Sequence, residues 1–583
     1  MDRLKYIIII TFLLGHQEVT FGQNKNSISE LNTIDKKINE SIFINTNTNV
    51  FLTGETLLYK LFCLNNNTNS VSIFSKIAYV ELVDSNKKKI FTQKLFLEKG
   101  IGYGDFFIPT TLETGNYKLI GYTNWMLNKS SFEYFNIDIF IVNPYQISNN
   151  NLDNNIPEKN IYETQKQTEE TTNNISITSN KTTYSNREIV NLEIKSDVIE
   201  ESLKGSYSIS VRKIDSFSLK KKINVIGFIK SKINTNTDSN FNNENLIIPE
   251  FRGEIISGKI TSKSGKSSLE NKNISLSIPG KNYAFKITKT KKNGEFIFNL
   301  EKPYPSSNII IQIIDSDNEN YKIEINKTSP PDYSSLMFSE LHLKPGFKDL
   351  IEEKAIASQI ENAYYNSKKD SIINITETKK IYDPLSKEYI LDNYTRFPTL
   401  KETVVEIVDG MYFKKSNNNY TLHLYDYDVN SELQIPALVI VDGLIIQDVN
   451  ELFQHKAENI YKINIVKGGY YFGSKLFNGL VAFTTKNYDY DSKLNGDFII
   501  KPEILRPLGK KEYFQPNYSI NNNLIRTPDY RHQLLWIPEV KLENKEQNIS
   551  FFTSDIIGKF EITLEGFSDA GIPVYTSTII EVK

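Results

Sequence analysis

Short apolar runs separated by turn residues fill the chain from Ser41 to Pro144, and they constrain the fold more than any other sequence feature. Each run has the length of one strand, and the runs follow one another at the spacing of a β-sandwich. Tyr, Phe, Ile and Val dominate over Ala, with 33 Tyr and 34 Phe among 583 residues, which favours strands. The sequence therefore predicts a mainly β protein of tandem β-sandwiches with one small α+β domain.

Two parts of the chain share a recognisable sandwich pattern. FLTGETLLYKLF, IAYVELVDSNKKKIFTQKL and LETGNYKLIGYTNWMLN resemble the macroglobulin-type domain of alpha-2-macroglobulin-like proteins, which implies an Ig-like sandwich over residues 41–144. ISITSNKTTYSNREIVNLEIKSD resembles the opening of another such domain, which we place at residues 175–248 with a polar excursion inside it. Residues 145–174 are rich in Asn, Gln, Glu and Thr and are predicted to be a linker.

Three further segments complete the predicted domain order around a central unit. RGEIISGKITSKSGKSSLENKNISLSIPG and YAFKITKTKKNGEFIFNLEKPYPSSNIIIQIID resemble the carboxypeptidase regulatory-like domain, a small β-sandwich, at residues 249–330. Residues 331–396 are predicted to be a helix and tether, because apolar residues recur at helical spacing within 346–366. ISFFTSDIIGKFEITLEGFSD and IPVYTSTIIEV resemble macroglobulin-type strands, so residues 491–583 are predicted to form a C-terminal β region.

The central unit, residues 397–490, has a different order of strands and turns. An apolar, β-branched run ends at the turn dipeptide Asp442-Gly443, and a second strand follows at once. A short helical stretch, a strand at Ile463–Val466, a Gly-Gly turn and a last strand at Leu480–Thr485 come next. We expect the first strand of the unit to be ETVVEIV.

The stretches VDG, INIVKGG and NGLVAFTTK resemble the plug domain of TonB-dependent outer-membrane receptors. In that family the plug lies inside a barrel of about 22 strands, which takes a few hundred residues. Only residues 487–583 follow here, so the resemblance implies a plug-like domain without its barrel. The residues that carry its turns are Asp442, Gly443, Lys467, Gly468, Gly469, Asn478 and Gly479. For Asp442 and Gly443 we expect a fold role, with Gly accepting a positive φ.

The first residues of the chain resemble an export signal. Arg3 and Lys5 precede a short apolar run at Tyr6–Leu14, so residues 1–23 are predicted to be a signal peptide and residues 24–40 a polar leader. No later run of about 18 apolar residues occurs, so no transmembrane segment is predicted in the mature chain. The single cysteine, Cys63, rules out intramolecular disulfides and is interpreted as a small core residue.

One predicted helical turn contains two residue types that bind zinc. His455 and Glu458 are three apart and could face one zinc ion, as in metallocarboxypeptidases. A third ligand would have to be His342, His423 or His532, and none lies in a context that resembles that family's second ligand strand. We therefore favour a solvated polar helix and predict no metal site.

Other catalytic and ligand-binding patterns are weak. The Cys-Gly-Glu-Gln thioester of macroglobulins, the G-x-S-x-G elbow and the P-loop are absent from the sequence, so we assign no catalytic and no cofactor-binding residue. The acidic pairs Asp315/Asp317 and Asp426/Asp428 have oxygen ligands suited to Ca²⁺, but such pairs more often cap turns. Trp125 is interpreted as a sandwich-core residue, with ligand stacking as the alternative.

This chain lacks parts of the three families that it resembles, and their absence favours a binding role. The net charge of −2 implies no nucleic-acid partner. The chain resembles three families yet lacks the thioester, the peptidase domain and the barrel. We therefore predict an exported, non-catalytic scaffold in the periplasm, at the outer membrane or on the cell surface. It would serve an outer-membrane transport or assembly complex and bind a barrel protein through exposed strand edges. A surface adhesin or glycan- or peptide-binding protein, and a peptidase or peptidase inhibitor, are the alternatives.

Overall fold

The structure of the protein is a computed structural model that describes residues 38–129, 134–146, 175–196, 204–215, 222–233, 247–304, 306–327, 331–339, 341, 343, 345–373, 380, 382, 385–416, 419–427, 434–453, 455–520, 522–542 and 546–583. The predicted signal peptide, nearly all of the polar leader and nearly all of the linker at 145–174 lie outside these residues, as do His342 and Asp428. The fold is mainly β with many small sheets, which confirms the predicted fold class.

Residues 40–142 form the first sandwich. Its strands are β1 (Glu40–Thr46), β2 (Val50–Leu52), β3 (Thr56–Asn65), β4 (Ser70–Val71), β5 (Ile77–Val83), β6 (Lys89–Phe96), β7 (Ile101–Phe107), β8 (Gly115–Tyr122) and β9 (Phe135–Val142). One sheet contains β1, β3, β4 and β7, and the other has the order β2-β9-β8-β5-β6. Ile42 and Ile44 of β1 point into the space between the sheets, where they approach Gly121 of β8.

The next segment supplies four strands and one helix, which are β10 (Ile175–Ser179), β11 (Thr183–Tyr184), β12 (Ile189–Ser196), β13 (Gly205–Lys213) and α1 (Val225–Ile233). Partners for β12 and β13 come from the far end of the chain. Helix α1 packs on the first sandwich, where Phe228 lies 4.9 Å from Phe43 between ring centroids.

A third sandwich and a helix follow, with β14 (Glu254–Ser262), β15 (Asn273–Ile278), β16 (Ala284–Lys289), β17 (Glu295–Leu300), β18 (Ile310–Ile313), β19 (Tyr321–Ile325) and α2 (Lys348–Ala363). One sheet has the order β17-β14-β19, and the other begins β16-β15-β18. Helix α2 confirms the predicted helical stretch within 346–366.

The following elements are β20 (Ser371–Ile372), β21 (Lys387–Ile390), α3 (Leu400–Ile407), β22 (Met411–Ser416), β23 (Asn419–Leu424), β24 (Leu438–Val441), β25 (Leu444–Ile445), α4 (Asn450–Phe453), β26 (Ile460–Phe472), β27 (Lys475–Thr485) and β28 (Ile499–Ile500). We call residues 387–490 the α+β unit. Its main sheet has the order β21-β26-β27-β24-β25, in which only β24 and β27 are parallel. Strands β22 and β23 form a separate hairpin, and β28 joins the third sandwich beside β18.

Two expectations for this unit are corrected. ETVVEIV belongs to helix α3, because Thr399 and Glu402 form a reciprocal capping box that starts the helix. The Gly468-Gly469 pair lies within β26, which runs on to Phe472, so the chain turns at Gly473 instead.

The last elements are β29 (Lys511–Glu512), α5 (Asn522–Ile525), β30 (Gln533–Lys541), β31 (Glu546–Phe552), β32 (Gly558–Ser568) and β33 (Pro573–Val582). Strand β29 pairs with β20. Strands β30–β33 complete the second sandwich, whose sheets have the orders β10-β12-β31 and β11-β33-β32-β13-β30. The predicted boundaries separate residues 175–248 from residues 491–583, whereas strand pairing joins them. The third sandwich and the α+β unit are therefore inserted between two halves of one sandwich. Within the described residues, no helix is long and apolar enough to cross a bilayer.

Candidate binding surface of the α+β unit

The main sheet of the α+β unit is covered on both faces. Successive residues of a strand point to opposite faces, and on β24 Leu438 and Ile440 share a core with Phe285 and Ile287 of the third sandwich. On the opposite face, Val439 shares a core with residues of α3 and of the β22–β23 hairpin. The sheet is thus held between the third sandwich and the unit's own helix and hairpin.

The Asp442-Gly443 turn is held in place by buried hydrogen bonds within the α+β unit. Asp442 is 2% exposed and has a φ of 48°. Its carboxylate accepts hydrogen bonds from Thr485 N at 2.9 Å, Thr485 Oγ1 at 2.6 Å and Tyr490 N at 3.3 Å. Burial raises the pKa of Asp442 and outweighs these bonds, which act in the opposite direction. The residue fixes the end of β27 and the segment after it, which fits the expected fold role.

The same turn is pressed onto the third sandwich. Gly443 has a φ of 88°, and a Cβ there would lie 2.3 Å from Cγ of Tyr283. Gly280 N donates to the carbonyl oxygen of Asp442 at 3.0 Å. Glycine is therefore required at position 443 both by its backbone conformation and by the close approach of an aromatic ring.

The other predicted turn residues form a bulge at the opposite end of the β24–β27 pair. Val466 pairs with Leu480 and Gly469 with Asn478, so Lys467 and Gly468 together face one residue, Gly479. The φ values of Gly468 and Gly479 are 82° and 79°. The structure thus brings these residues together and places Asp442 and Gly443 apart from them.

Two of these residues connect the bulge to the hairpin. Asn478 is 1% exposed, and its Nδ2 donates to the carbonyl oxygen of Leu424, the last residue of β23, at 2.9 Å. Lys467 Nζ lies 3.4 Å from a carboxylate oxygen of Asp409 and 5.1 Å from the ring centroid of Tyr427. No phosphate-binding loop is formed here, because β26 continues through the glycines as a strand.

The tip of the β26–β27 hairpin clamps the third sandwich. Phe472 stacks on Phe285 with ring centroids 4.1 Å apart. Ser474 Oγ donates to Asn273 Oδ1 at 2.9 Å, and Lys475 Nζ donates to the carbonyl oxygen of Ile314 at 2.7 Å. Together with the Asp442-Gly443 turn, these contacts fix the α+β unit on its neighbour at two separated places.

Tyrosine and lysine side chains are concentrated on the other side of the unit, along the β22–β23 hairpin. At one end Lys401 Nζ lies 4.4 Å from the ring centroid of Tyr420, and the exposed Lys415 lies 5.7 Å from the same ring. At the other end Tyr427 is 60% exposed. We call Lys401, Lys415, Tyr420, Tyr427 and Lys467 the hairpin surface. Exposed tyrosine is enriched at protein interfaces, and the lysines hold the tyrosine rings by cation–π contacts.

The hairpin surface was not predicted from the sequence. The stretch MYFKKSNNNYTLHLYDY places aromatic residues on both sides of a polar turn, with two lysines before it, and this signal could have indicated the surface. Binding was expected at exposed strand edges, and the predicted turn residues were given a fold role. Of those turn residues, Asp442 and Asn478 are buried, whereas Lys467 belongs to the hairpin surface.

His455 and Glu458, the pair considered for zinc and not favoured, lie in different local structures. His455 packs against Tyr490, with ring centroids 4.7 Å apart, and burial lowers its pKa. Glu458 lies in a separate 3-10 turn and pairs with Lys456 at 3.4 Å. Of the other candidate ligands, His423 contacts Thr421 and His532 lies in the second sandwich. In the part of the chain that the structure describes, no three His, Cys, Asp or Glu side chains surround one metal position.

The remaining sequence candidates have structural contacts. Asp315 accepts from the backbone N and the Nδ2 of Asn273, both at 2.8 Å, and Asp317 pairs with Lys272 at 2.5 Å. Cys63 is buried, and burial raises the pKa of its thiol. Trp125 is 2% exposed and packs with Phe251, as expected of a core residue.

Comparisons with known proteins give weak matches to solved structures. No protein-family profile matches the chain, and no curated protein matches it. Alpha-2-macroglobulin from Salmonella, reacted with methylamine, aligns with a TM-score of 0.23 and 8% identity over 93% of this chain and 39% of its own. Escherichia coli alpha-2-macroglobulin activated by porcine elastase aligns with a TM-score of 0.24 and 7% identity over 93% and 44%. The Escherichia coli adhesin FdeC aligns with a TM-score of 0.14 and 11% identity over 31% and 48%. The chain thus spans less than half the length of each of these proteins.

Proposed function

We propose that this protein is a non-catalytic scaffold of a bacterial envelope that binds a partner through the hairpin surface. The observation that carries the proposal is the two-sided packing of the α+β unit. One side is closed by the third sandwich, while the other presents Tyr427 and Lys415 to solvent. A sheet clamped in this way is suited to hold a partner in a fixed position.

The partner we propose is an outer-membrane barrel protein of a transport or assembly complex, in the periplasm or at the outer membrane. The resemblance of VDG, INIVKGG and NGLVAFTTK to receptor plugs supports this choice. The barrel would contact the hairpin surface, since the Asp442-Gly443 turn is occupied by Tyr283. The exposed Lys415 favours acidic groups on the partner and speeds its association.

A pull-down of the tagged protein from envelope membranes tests the proposal. We expect a barrel protein as the main partner of the wild type, and at least tenfold less of it with the double variant Tyr427→Ala, Lys415→Glu. Tyr471→Ala is the matched control, because Tyr471 is 73% exposed on the same unit but lies outside the hairpin surface. Equal recovery with all three proteins would contradict the proposal, and binding to polysaccharide alone would favour the adhesin alternative.

A further inference from the structure

The interface between the first and second sandwiches contains a lysine, an asparagine and a glutamate in mutual contact. Asn45 lies on β1 and is 3% exposed, Glu565 lies on β32 and is 1% exposed, and Lys222 precedes α1. Their side chains meet because the outer faces of the two sandwiches pack together. Phe62 and Phe567 meet in the same interface, with ring centroids 5.2 Å apart.

The three side chains are arranged for amide chemistry. Lys222 Nζ donates to Asn45 Oδ1 and to the carbonyl oxygen of Thr46, the latter at 2.7 Å. Glu565 Oε2 lies 3.5 Å from Lys222 Nζ, and Glu565 Oε1 accepts from Val225 N at 2.7 Å. The amine, the side-chain carbonyl and the carboxylate therefore lie next to one another. Backbone groups of Thr46 and Val225 hold the amine and the carboxylate in place.

The surroundings disfavour charged groups. Lys60 stands opposite Asn45 in the β1–β3 ladder, is fully buried beside the ring of Phe62, and has its pKa lowered to about 7 by burial. Glu565 is almost fully buried, so a proton that passes to it from Lys222 removes a buried negative charge and leaves a neutral amine. A neutral amine beside a carboxamide carbon is a nucleophile.

We propose that Lys222 and Asn45 form an intramolecular amide bond, with Glu565 as the proton carrier. Glu565 takes a proton from Lys222, and the Nζ lone pair attacks Cγ of Asn45. The acid hydrogen-bonds to the developing oxyanion at Oδ1 and then delivers its proton to Nδ2. The Cγ–Nδ2 bond breaks, the regenerated Glu565 carboxylate takes the second proton from Nζ and passes it to the departing ammonia, and the nitrogen leaves as ammonium. The reaction therefore needs no oxidant, reductant or other reactant.

Such a bond would supply a covalent tie that this chain lacks otherwise, since one cysteine forms no intramolecular disulfide. It would connect β1 of the first sandwich to the segment that leads into α1 beside the second. A tie between positions far apart in sequence restricts the unfolded chain strongly. The inference is independent of the partner proposed above.

Mass spectrometry of the purified full-length protein tests the proposal. The wild type is expected to be lighter than its unlinked chain by one ammonia, and tryptic digestion is expected to yield one linked peptide containing Asn45 and Lys222. Lys222→Arg keeps the positive charge, and Glu565→Gln keeps the shape of the carboxylate side chain. Both variants are expected to lose the linked peptide while circular dichroism shows that they remain folded.

Asn66→Ala is the matched control, because Lys232 makes a similar contact with Asn66 Oδ1, at 2.5 Å, elsewhere on the first sandwich. It is expected to retain the link. A wild-type mass equal to that of the unlinked chain would overturn the proposal. A link that persists in Lys222→Arg or in Glu565→Gln would overturn the assigned nucleophile or the assigned proton carrier.

Discussion

At the scale of single residues, the predicted turn residues act as points of attachment. Asp442 and Gly443 appear in the sequence as an ordinary turn dipeptide, and their positive φ values agree with that interpretation. Their further role depends on Tyr283, which belongs to another domain and is far away in sequence. Local pattern therefore predicts the turn, while only the fold shows what the turn touches.

Gly443→Ala is expected to destabilise the protein by more than backbone strain alone. The new Cβ would overlap the ring of Tyr283 as well as forcing a left-handed conformation on alanine. Gly265→Ala is the control, since Gly265 has a φ of 70° and nothing within 4 Å of its Cβ position. In urea unfolding, the free energy of unfolding should fall by about 1–3 kcal/mol more for Gly443→Ala than for Gly265→Ala. Equal losses of unfolding free energy at both positions would show that the Tyr283 side chain moves aside without an energetic penalty.

His532 is expected to make stability depend on pH. Burial, and then Lys354, lower its pKa from 6.5 to about 4, and Arg212 and Lys213 act in the same direction. The unfolded chain binds this proton as the pH falls below 6.5, whereas the folded chain does not until about 4. Stability should therefore fall by about 2 kcal/mol between pH 7 and pH 5. Urea unfolding at both pH values checks this, and His532→Gln should reduce the difference.

The neighbouring Glu55 should act in a separate, more acidic window. Lys354 and Arg212 hold its pKa at about 2, against burial, which acts in the opposite direction. A lowered carboxyl pKa stabilises the fold above about pH 4.5, and that contribution is lost as the pH falls towards 2. A pH dependence between 7 and 5 that survives in His532→Gln would therefore contradict the assignment to His532.

At the scale of elements, the positions of strands can be predicted from local composition, but the strands with which they pair cannot. Runs rich in Tyr, Phe, Ile and Val predict the strands of the first sandwich well. The same reasoning failed at ETVVEIV, where β-branched residues suggested a strand although Thr399 and Glu402 carry a capping box that starts a helix. The pairing of β12 with β31 could not be predicted, because nothing local in either strand specifies a partner so distant in sequence.

Phe472→Ala is expected to weaken the packing of the α+β unit on the third sandwich. It removes the ring that stacks on Phe285, at a cost of about 2 kcal/mol for a half-buried aromatic residue. Amide hydrogen exchange should become faster in β16 and at the tip of the β26–β27 hairpin. Tyr471→Ala serves as the control, because its side chain is largely exposed on the same strand. Unchanged exchange in β16 would show that the clamp does not depend on this stack.

At the scale of the whole molecule, the second sandwich joins two segments of the chain that are far apart in sequence. The second sandwich needs both residues 175–213 and residues 533–582, so the third sandwich and the α+β unit form a loop closed by its sheets. Predicting this from sequence failed because each half has a plausible strand pattern of its own.

A chain that ends after Pro528 is expected to lose the second sandwich completely. Removing β30–β33 deprives β12 and β13 of their partners and exposes their edges. Limited proteolysis should then cut within residues 175–213, while residues 254–325 remain resistant. Protection of both segments would contradict the discontinuous sandwich.

The central claim, that the hairpin surface binds a partner in the envelope, is tested most directly by photo-cross-linking in the producing cells. A photoreactive residue is placed at Tyr427 in one strain and at Tyr471 in another, and the adducts are identified by mass spectrometry. We expect one dominant adduct with a barrel protein at Tyr427 and none at Tyr471. No adduct at Tyr427, or the same set of adducts at both positions, would contradict the claim.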